Sequence, residues 1–453
     1  MGKITLRQAA QWCGGFVEDR YADVEFLGAN NDSRKLLPGQ LFIALQGQRD
    51  GHDFIPMAME NGAAAVLCSR PCPDYPAIVV GDTRRALGDI ARQERRRIGM
   101  KVVGVTGSVG KSTTKEMIAC VLESRYRVAK TPVNQNNDIG MPMAILSMSE
   151  DTQVAVLEMG MNHFREIAYL SAIAQPELAV IMNIGTMHIE HLGSREGILQ
   201  AKLEMVEGMP ADGRLLLNGD DELLWGKKDQ LAISAAYFAE GNAQAEICAA
   251  AIKEESGMLC FEVRGAGEPF KVELPLEGYH YVSDALAAVS VGLELGVSPE
   301  DIVNSLLHFR NMTGRQEIFA AKGCIIINDC YNAGPESMQA ALQVLGKKDG
   351  RRIAVLGDML ELGFCTPAEH YRVGRLAAEN ADAVIAYGPN AWRVTSGAVT
   401  GGMPNAKAQG FEDRDQAAAA LKRLAKPGDV ILFKGSRGMH LELILEQFLK
   451  DET

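Results

Sequence analysis

The chain has no apolar run long enough to cross a membrane. Its longest uncharged stretch is about a dozen residues, against the ~20 that a spanning helix needs. The N-terminal stretch MGKITLRQAAQWCGG has no long apolar core, so no signal peptide is expected. Positive charge is in deficit: 46 Lys and Arg face 58 Asp and Glu, a net charge of −12. That argues against a general nucleic-acid binder, which would present a basic face. Anionic small substrates stay possible, because a local Lys/Arg cluster decides those. Cysteine lacks organisation. Nine are scattered, only Cys68 and Cys72 are close, and there is no second pair at zinc spacing. Cys248, Cys260 and Cys324 sit in apolar, strand-like runs and read as buried thiols. A reducing, cytoplasmic compartment is expected.

What is present is the material of a large α/β enzyme. At 453 residues the length prior suggests about three domains of ~150 residues, each ample for its own core. The stretch KVVGVTGSVGKSTTK (101–115) organises the rest. Val102, Val103 and Val105 read as a buried strand, Thr106 to Gly110 as a glycine-bearing turn, and Lys111 and Ser112 as a helix start. Backbone N–H groups of such a turn point at a polyanion, and the helix N-terminus adds a favourable dipole. Lys111 would reach the β- and γ-phosphates, and Ser112 or Thr113 would hold Mg²⁺. The usual spacing wants a glycine where Val105 stands; the glycines here are Gly104, Gly107 and Gly110.

Before this loop, short strand-like runs (24–27, 41–44, 64–67, 77–80) alternate with turns. Asp32, Ser33 and Arg34 make one polar turn; Arg49, Asp50, Gly51, His52 and Asp53 make another. Either could bind a phosphate or sugar, although surface loops often look the same. Residues 83–97 read as a charged helix whose arginines make a solvated face or a hinge. After the loop, Asn134, Asn136, Asn137, Gly140 and Pro142 form a polar loop that runs into an apolar helix. The strand VAVL then ends in Glu158, where a carboxylate would meet Mg²⁺ beside a phosphate loop. A second strand, LAVIMNIG, leads to His188 and predicts that His188 lies beside Glu158 at the same sheet edge. Lys202 shares a helix face with Ile198, Leu199 and Val206, and by itself reads as a snorkelling, structural lysine. Residues 243–276 alternate like an antiparallel sheet with Gly turns. A helix starts near Tyr281, and 311–316 reads as a linker. Beyond it four apolar runs (324–327, 353–356, 383–386, 430–433) alternate with helices, the pattern of a parallel sheet with helices on both faces.

Taken together, the motifs TGSVGKSTTK, NQNNDIGMP, LEMGMNHFREI, NIGTMHIEHLGS, AKLE, DCYNAGPESM, GDMLELG and KGSRGM are highly specific in order and spacing. On them the chain resembles the Mur ligases of peptidoglycan synthesis over essentially its whole length. More narrowly it looks like those members that add D-alanyl-D-alanine to UDP-N-acetylmuramoyl-tripeptide. The spaced glycines are the family's version of the loop. The resemblance implies a three-domain α/β fold. A small N-terminal α/β domain (1–82) would bind the UDP-substrate. A central P-loop parallel-sheet ATPase domain (83–313) would carry an extra antiparallel sheet, and a Rossmann-like domain (314–453) would close the chain. It implies ATP, two Mg²⁺ ions and carbamylation of Lys202, which would turn a cation into an anion that can orient Mg²⁺. Lys111, Glu158, His188 and Lys202 would be catalytic, with Ser112, Glu158, His188 and Lys202 at the metals. ATP would lie on Gly107, Ser108, Gly110, Lys111, Ser112, Thr113, Asn136, Asn137, Arg315, Asp329, Tyr331 and Asn332. Asp32, Ser33 and Arg34 would hold the uridine nucleotide. Asp358, Glu361, Lys434, Ser436 and Arg437 lie where the dipeptide acceptor is expected.

The chain departs from the family's pattern at Val133 (usually Gly), Asn328-Asp329 (usually an acidic pair) and Gly334 (usually Asn). Tyr281 and Asp284 replace asparagines; an Asp loses the amide's donor for adenine. The implied reaction phosphorylates a carboxylate with ATP and lets an amine displace the phosphate. A monomer without nucleic-acid or membrane partners is expected. The alternatives are another amino-acid ligase of the superfamily or a folylpolyglutamate synthetase, a P-loop kinase without an amino-acid acceptor, and a non-enzymatic nucleotide switch. The DSR and DGHDF turns favour a UDP-sugar substrate. GDMLELG and KGSRGM argue against a simple kinase. A mere switch would leave Glu158, His188 and Lys202 no reason to coincide.

Overall fold

A computed structural model describes residues 2–450. Strands β1 (Ile4–Thr5) and β2 (Glu25–Phe26) form a short antiparallel pair. Strands β3 (Ala29–Asn30), β4 (Leu41–Ile43), β5 (Ala65–Cys68) and β6 (Ala77–Val79) form a four-stranded parallel sheet. Parallel strands are covered on both faces and so read as unbroken apolar runs; the fully buried AVLC of β5 is such a run.

The helix Thr83–Ile98 joins this sheet to the next. Asp82 caps it by accepting from the Arg84 and Arg85 amides, and Gly99 ends it in the left-handed region. Its Leu87, Ile90 and Ala91 belong to one core that runs from Leu6 and Ile43 to Leu157 and Ile181. The arginines expected on a solvated face are partly interface. Arg95 donates to the Ala174 and Gln175 carbonyls, each at 2.9 Å, and pairs with Glu177 at 2.5 Å. Arg97 grips the buried Glu94 at 2.7 Å. A charge pattern cannot distinguish arginines that face water from arginines that face a neighbour's carbonyls.

The central sheet has nine strands: β7 (Lys101–Thr106), β8 (Val128–Lys130), β9 (Val154–Glu158), β10 (Leu178–Ile181), β11 (Arg214–Asn218), β12 (Ser234–Ala239), β13 (Ile247–Glu255), β14 (Met258–Arg264) and β15 (Phe270–Leu274). Their order is β15-β14-β13-β12-β11-β10-β7-β9-β8. The expected antiparallel strands are β13–β15. They continue the parallel sheet, since β13 pairs with β12 in parallel. The chain builds β8 and β9 on one side of β7 and everything from β10 on the other. Such a reversal opens a crevice at the C-terminal strand ends.

The third sheet comprises β16 (Glu317–Ala321), β17 (Cys324–Asp329), β18 (Arg352–Gly357), β19 (Ala383–Tyr387), β20 (Ala408–Phe411) and β21 (Val430–Lys434), in the order β16-β17-β21-β18-β19-β20. The four predicted runs are its inner strands. The edge strands β16 and β20 are half-exposed and lack the continuous apolar run that marks the inner strands. This unit has its own cores, around Leu342 and Val373 on one sheet face and Leu421 and Phe448 on the other. Ion pairs such as Lys347–Glu254 and Lys348–Glu277 link it to the central unit; polar links of this kind leave domains free to move. Among the described residues no helix is long and apolar enough to cross a membrane. All nine cysteines are free thiols.

The helices Thr366–Asn380 and Ala391–Thr400 touch through glycines. A methyl on Gly374 would lie 2.0 Å from the Val394 carbonyl oxygen. Backbone cannot yield cheaply there, so Gly374→Ala is expected to cost about 1–3 kcal/mol. Calorimetry would show this as a lowered melting transition.

Candidate active site

The crevice above β7, β9 and β10 and the strand-end loops of the third sheet enclose a cavity of about 1220 Å³. Every residue expected to contact ATP lines it, as do Glu158, His188, Lys202 and Lys434. At its base is the loop after β7. Gly110 sits at φ 85, and a methyl there would lie 2.6 Å from Asp284 Oδ1, so glycine is required on both counts. The Ser108 and Val109 amides donate to Asn183 Oδ1 at 3.0 and 2.9 Å. Asn183 Nδ2 in turn donates to the Val109 carbonyl at 3.0 Å. Asn183 therefore shapes the loop. Its position directly after an apolar strand was the only sequence signal available. The Lys111 ammonium folds back onto the Gly107 and Ser108 carbonyls at 2.8 and 3.1 Å.

Glu158 is buried at the end of β9 and is the hub of the polar network. It accepts from Ser112 Oγ at 2.7 Å and from Asn136 Nδ2 at 2.8 Å. Its own amide donates to Thr131 Oγ1 at 3.0 Å. The Thr131 carbonyl accepts from the fully buried Lys115 at 2.7 Å. One helical turn after Lys111, Lys115 reads in sequence like any surface lysine, so this support was not legible. Thr113 is buried beside Ser112, and Asn137 Oδ1 accepts from the Gly140 amide at 2.8 Å.

Lys202 corrects the snorkelling reading. It is 2% exposed, on the helix Arg195–Leu203. Among the described residues nothing accepts a hydrogen bond from its ammonium. Burial, and secondly the charge of Lys111, hold its pKa well below the ordinary lysine value.

His188 also departs from expectation. Strand β7 lies between β9 and β10, so His188 and Glu158 do not end adjacent strands. His188 Nδ1 instead donates to Glu361 Oε2 of the third unit at 2.5 Å. Further contacts dock that unit on the phosphate loop. Arg315 donates to Ser112 Oγ at 2.8 Å and lies 3.9 Å over the Tyr331 ring, and the Tyr331 hydroxyl meets Asn134. These contacts hold the third unit against the central unit around the phosphate loop. Within the third unit, Lys434 pairs with Asp329 at 2.6 Å and donates to the Asn332 carbonyl at 3.0 Å.

Other expected site residues lie outside the cavity lining. Asp32 and Arg34 pair with each other at 2.9 Å, and the Ser33 hydroxyl is buried against Met57. The second polar turn is stitched internally: His52 bridges Asp50 at 2.7 Å and the Ser69 amide at 3.0 Å. Asp358 is a correction. It is 2% exposed and accepts from the Asn390 amide and side chain, so its carboxylate faces inward instead of toward an acceptor. Ser436 is likewise buried, holding Ala333 and Leu360. Arg437 is exposed, 3.6 Å from Glu442.

Beside the phosphate loop, Asn218, Glu240, Ser283 and Asp284 also line the cavity. Burial raises Asp284 from 3.8 to about 7, opposed by a 2.9 Å bond from Thr114 and reinforced by Glu240. Glu240 also rises to about 7, through burial and then Asp220. The folded chain thus binds the Asp284 proton more tightly than the unfolded one. Stability falls as pH rises from about 4 toward 7, and the full penalty applies above that. Asp284→Asn removes this slope. At about pH 8 it is expected to melt about 2 °C or more above the parent, and the gap should vanish near pH 4.

Comparison with known proteins covers the same ground. Residues 24–95 match the Mur ligase family catalytic domain, 105–292 the Mur ligase middle domain, and 314–437 the Mur ligase glutamate ligase domain. The chain is 39% identical over 460 residues to the UDP-N-acetylmuramoyl-tripeptide--D-alanyl-D-alanine ligase of Bacillus subtilis, covering 99% of each chain. It is similar to the crystal structure of MurF from Acinetobacter baumannii, with a TM-score of 0.91, 33% identity and 100% of both chains covered. MurF of Thermotoga maritima in complex with ADP superposes with a TM-score of 0.83 at 29% identity, over 93% of this chain and 97% of that one. Three family segments in succession, and relatives matched from end to end, place this chain in the Mur ligase family.

Proposed function

We propose that this protein is an ATP-dependent ligase that joins D-alanyl-D-alanine to UDP-N-acetylmuramoyl-tripeptide, the last cytoplasmic step in making the peptidoglycan pentapeptide precursor. The observation that carries the reading is the buried Lys202, without a protein acceptor among the described residues, in one cavity with Lys111 and Glu158 beneath a docked third domain. Residues 1–82 hold the uridine nucleotide through Asp32, Ser33 and Arg34, 83–313 bind ATP, and 314–453 close over both.

A carboxylate is a poor electrophile. Its oxygen attacks the γ-phosphorus of ATP, ADP leaves, and an acyl phosphate forms. The amine of D-alanyl-D-alanine then attacks the carbonyl carbon, phosphate leaves, and the amine gives up a proton. Lys111 swings from the Gly107 and Ser108 carbonyls to the phosphates and lowers the repulsion between two anions. Arg315 and Tyr331 bring the third domain onto the nucleotide. Their docking excludes water, which would hydrolyse the acyl phosphate. Lys434 holds the acceptor side of the cleft through Asp329 and Asn332.

The residues fit Mg²⁺. The Ser112 hydroxyl and the Glu158 carboxylate are hard oxygen donors 2.7 Å apart. Among the described residues no three His, Cys, Asp or Glu side chains gather as a metal cage. Ser112 and Glu158 would hold one ion together with nucleotide oxygens and a carbamate on Lys202, and His188 would serve a second. When bound, Mg²⁺ would neutralise charge on the transferring phosphoryl group. The depressed pKa of Lys202 favours the neutral amine, the form that attacks CO₂ and sheds a proton. The enzyme works as a monomer.

Phosphate release from ATP tests this. It is expected to require both UDP-N-acetylmuramoyl-tripeptide and D-alanyl-D-alanine. Equal release with neither, or with glutamate in place of the dipeptide, would overturn the assignment.

A further inference from the structure

The central segment from Gly185 to Glu190 is gripped from two sides by carboxylates of the third domain. On one side Glu336, in the first turn of the helix Pro335–Gly346, accepts from the Thr186 amide at 3.0 Å and the Thr186 hydroxyl at 3.1 Å. Its other oxygen is buried, with no hydrogen-bond partner among the described residues. On the other side Glu361 accepts from His188 Nδ1 at 2.5 Å. Both residues of that pair hold left-handed backbone, His188 at φ 64 and Glu361 at φ 62. Left-handed backbone is unfavourable for a non-glycine residue and persists only where the surroundings impose it. The chain also approaches closely at both contacts. A methyl on Gly363 would lie 3.1 Å from Glu190 Cβ, and one on Gly334 would lie 2.7 Å from Met187 Cγ. His188 and Glu336 line the cavity, whereas Glu361 does not.

We infer that Glu336 and Glu361 form a two-point clamp that seats His188 in the cavity when the third domain docks. Glu361 is thereby a positioning residue for the reaction, and not a contact for the incoming dipeptide. A carboxylate can only accept, so Nδ1 carries a proton in this pair and the ring orientation is fixed by it. The Glu361 side chain is 44% exposed. The pair therefore contributes little to stability, and its effect is on geometry. The kinetic consequences rest on the ligase reading; the docking itself does not.

The variants E361A, E361Q and E336A test the clamp, with melting temperatures measured alongside to confirm folding. In E361A kcat is expected to fall on the order of tenfold, with KM for ATP within about twofold. Phosphate released per ligated product should rise from about one toward two or more, because loose closure admits water. E361Q keeps an accepting oxygen and should retain most activity. E336A should raise the same ratio. In small-angle scattering with a non-hydrolysable ATP analogue, the parent is expected to be more compact than E361A. An E361A variant with parental kcat, release ratio and compactness would overturn the clamp. So would an E361Q as damaged as E361A. A raised KM for the dipeptide with kcat unchanged would make Glu361 the acceptor contact and overturn it too. If the parent forms no product, the ligase reading is what fails, and the scattering comparison still decides the clamp.

Discussion

Replacing Lys202 with alanine is expected to lower the ligation rate on the order of 10³-fold. A small carboxylate such as acetate should restore part of the loss without bicarbonate. The reasoning starts from burial. A lysine 2% exposed, with no protein acceptor among the described residues, has only the cavity to satisfy its ammonium, and burial disfavours that charge. Lys111 worsens it by like-charge repulsion, and the pKa falls accordingly. A carbamate resolves both problems: the group becomes an anion, and the repulsion from Lys111 becomes attraction. Alanine leaves a hole of the right size for a small anion to fill. Lys202→Arg keeps a cation but cannot form the carbamate, so it should be inactive and beyond rescue. Product formation measured with and without acetate decides this. Full activity in Lys202→Ala would sink the assignment.

Lys111→Met is expected to reduce ATP-dependent phosphate release by roughly 10³-fold or more, while affinity for the UDP-substrate stays within about twofold. Methionine preserves length and removes the charge. Phosphate release and calorimetric titration with the UDP-substrate separate the two effects. A second consequence is specific to this site. Without Lys111, Lys202 loses a repulsive neighbour and its pKa rises, so less neutral amine is available. Incorporation of labelled bicarbonate, followed by carbon NMR, should then fall in Lys111→Met. Unchanged incorporation would show that burial alone controls the amine.

The phosphate loop was legible because its signal is contiguous: strand, glycine turn and helix start lie within one stretch of chain. Glu158 was legible for a related reason, as a carboxylate that ends an apolar strand. Asn183, Lys115, Glu240 and Glu336 carried no comparable signal. Each acts on a residue distant in sequence, such as Asn183 on the Ser108 amide and Glu336 on Thr186. The DSR turn was found as a motif, yet Arg34 is spent on Asp32 in this arrangement.

The sequence by itself determined the three α/β units, the phosphate loop with its unusual glycine spacing, and the ordered motifs that mark the family. Those are local properties: periodicity reports which face of an element is apolar, and turn residues report where the chain bends. The tertiary structure alone decided that β7 separates Glu158 from His188, that Lys202 is buried, that Asp358 faces inward, and that Glu361 holds His188. Strand order and domain docking arise from packing between elements far apart in the chain. A side chain's burial and partner are set by that packing, which no local pattern encodes.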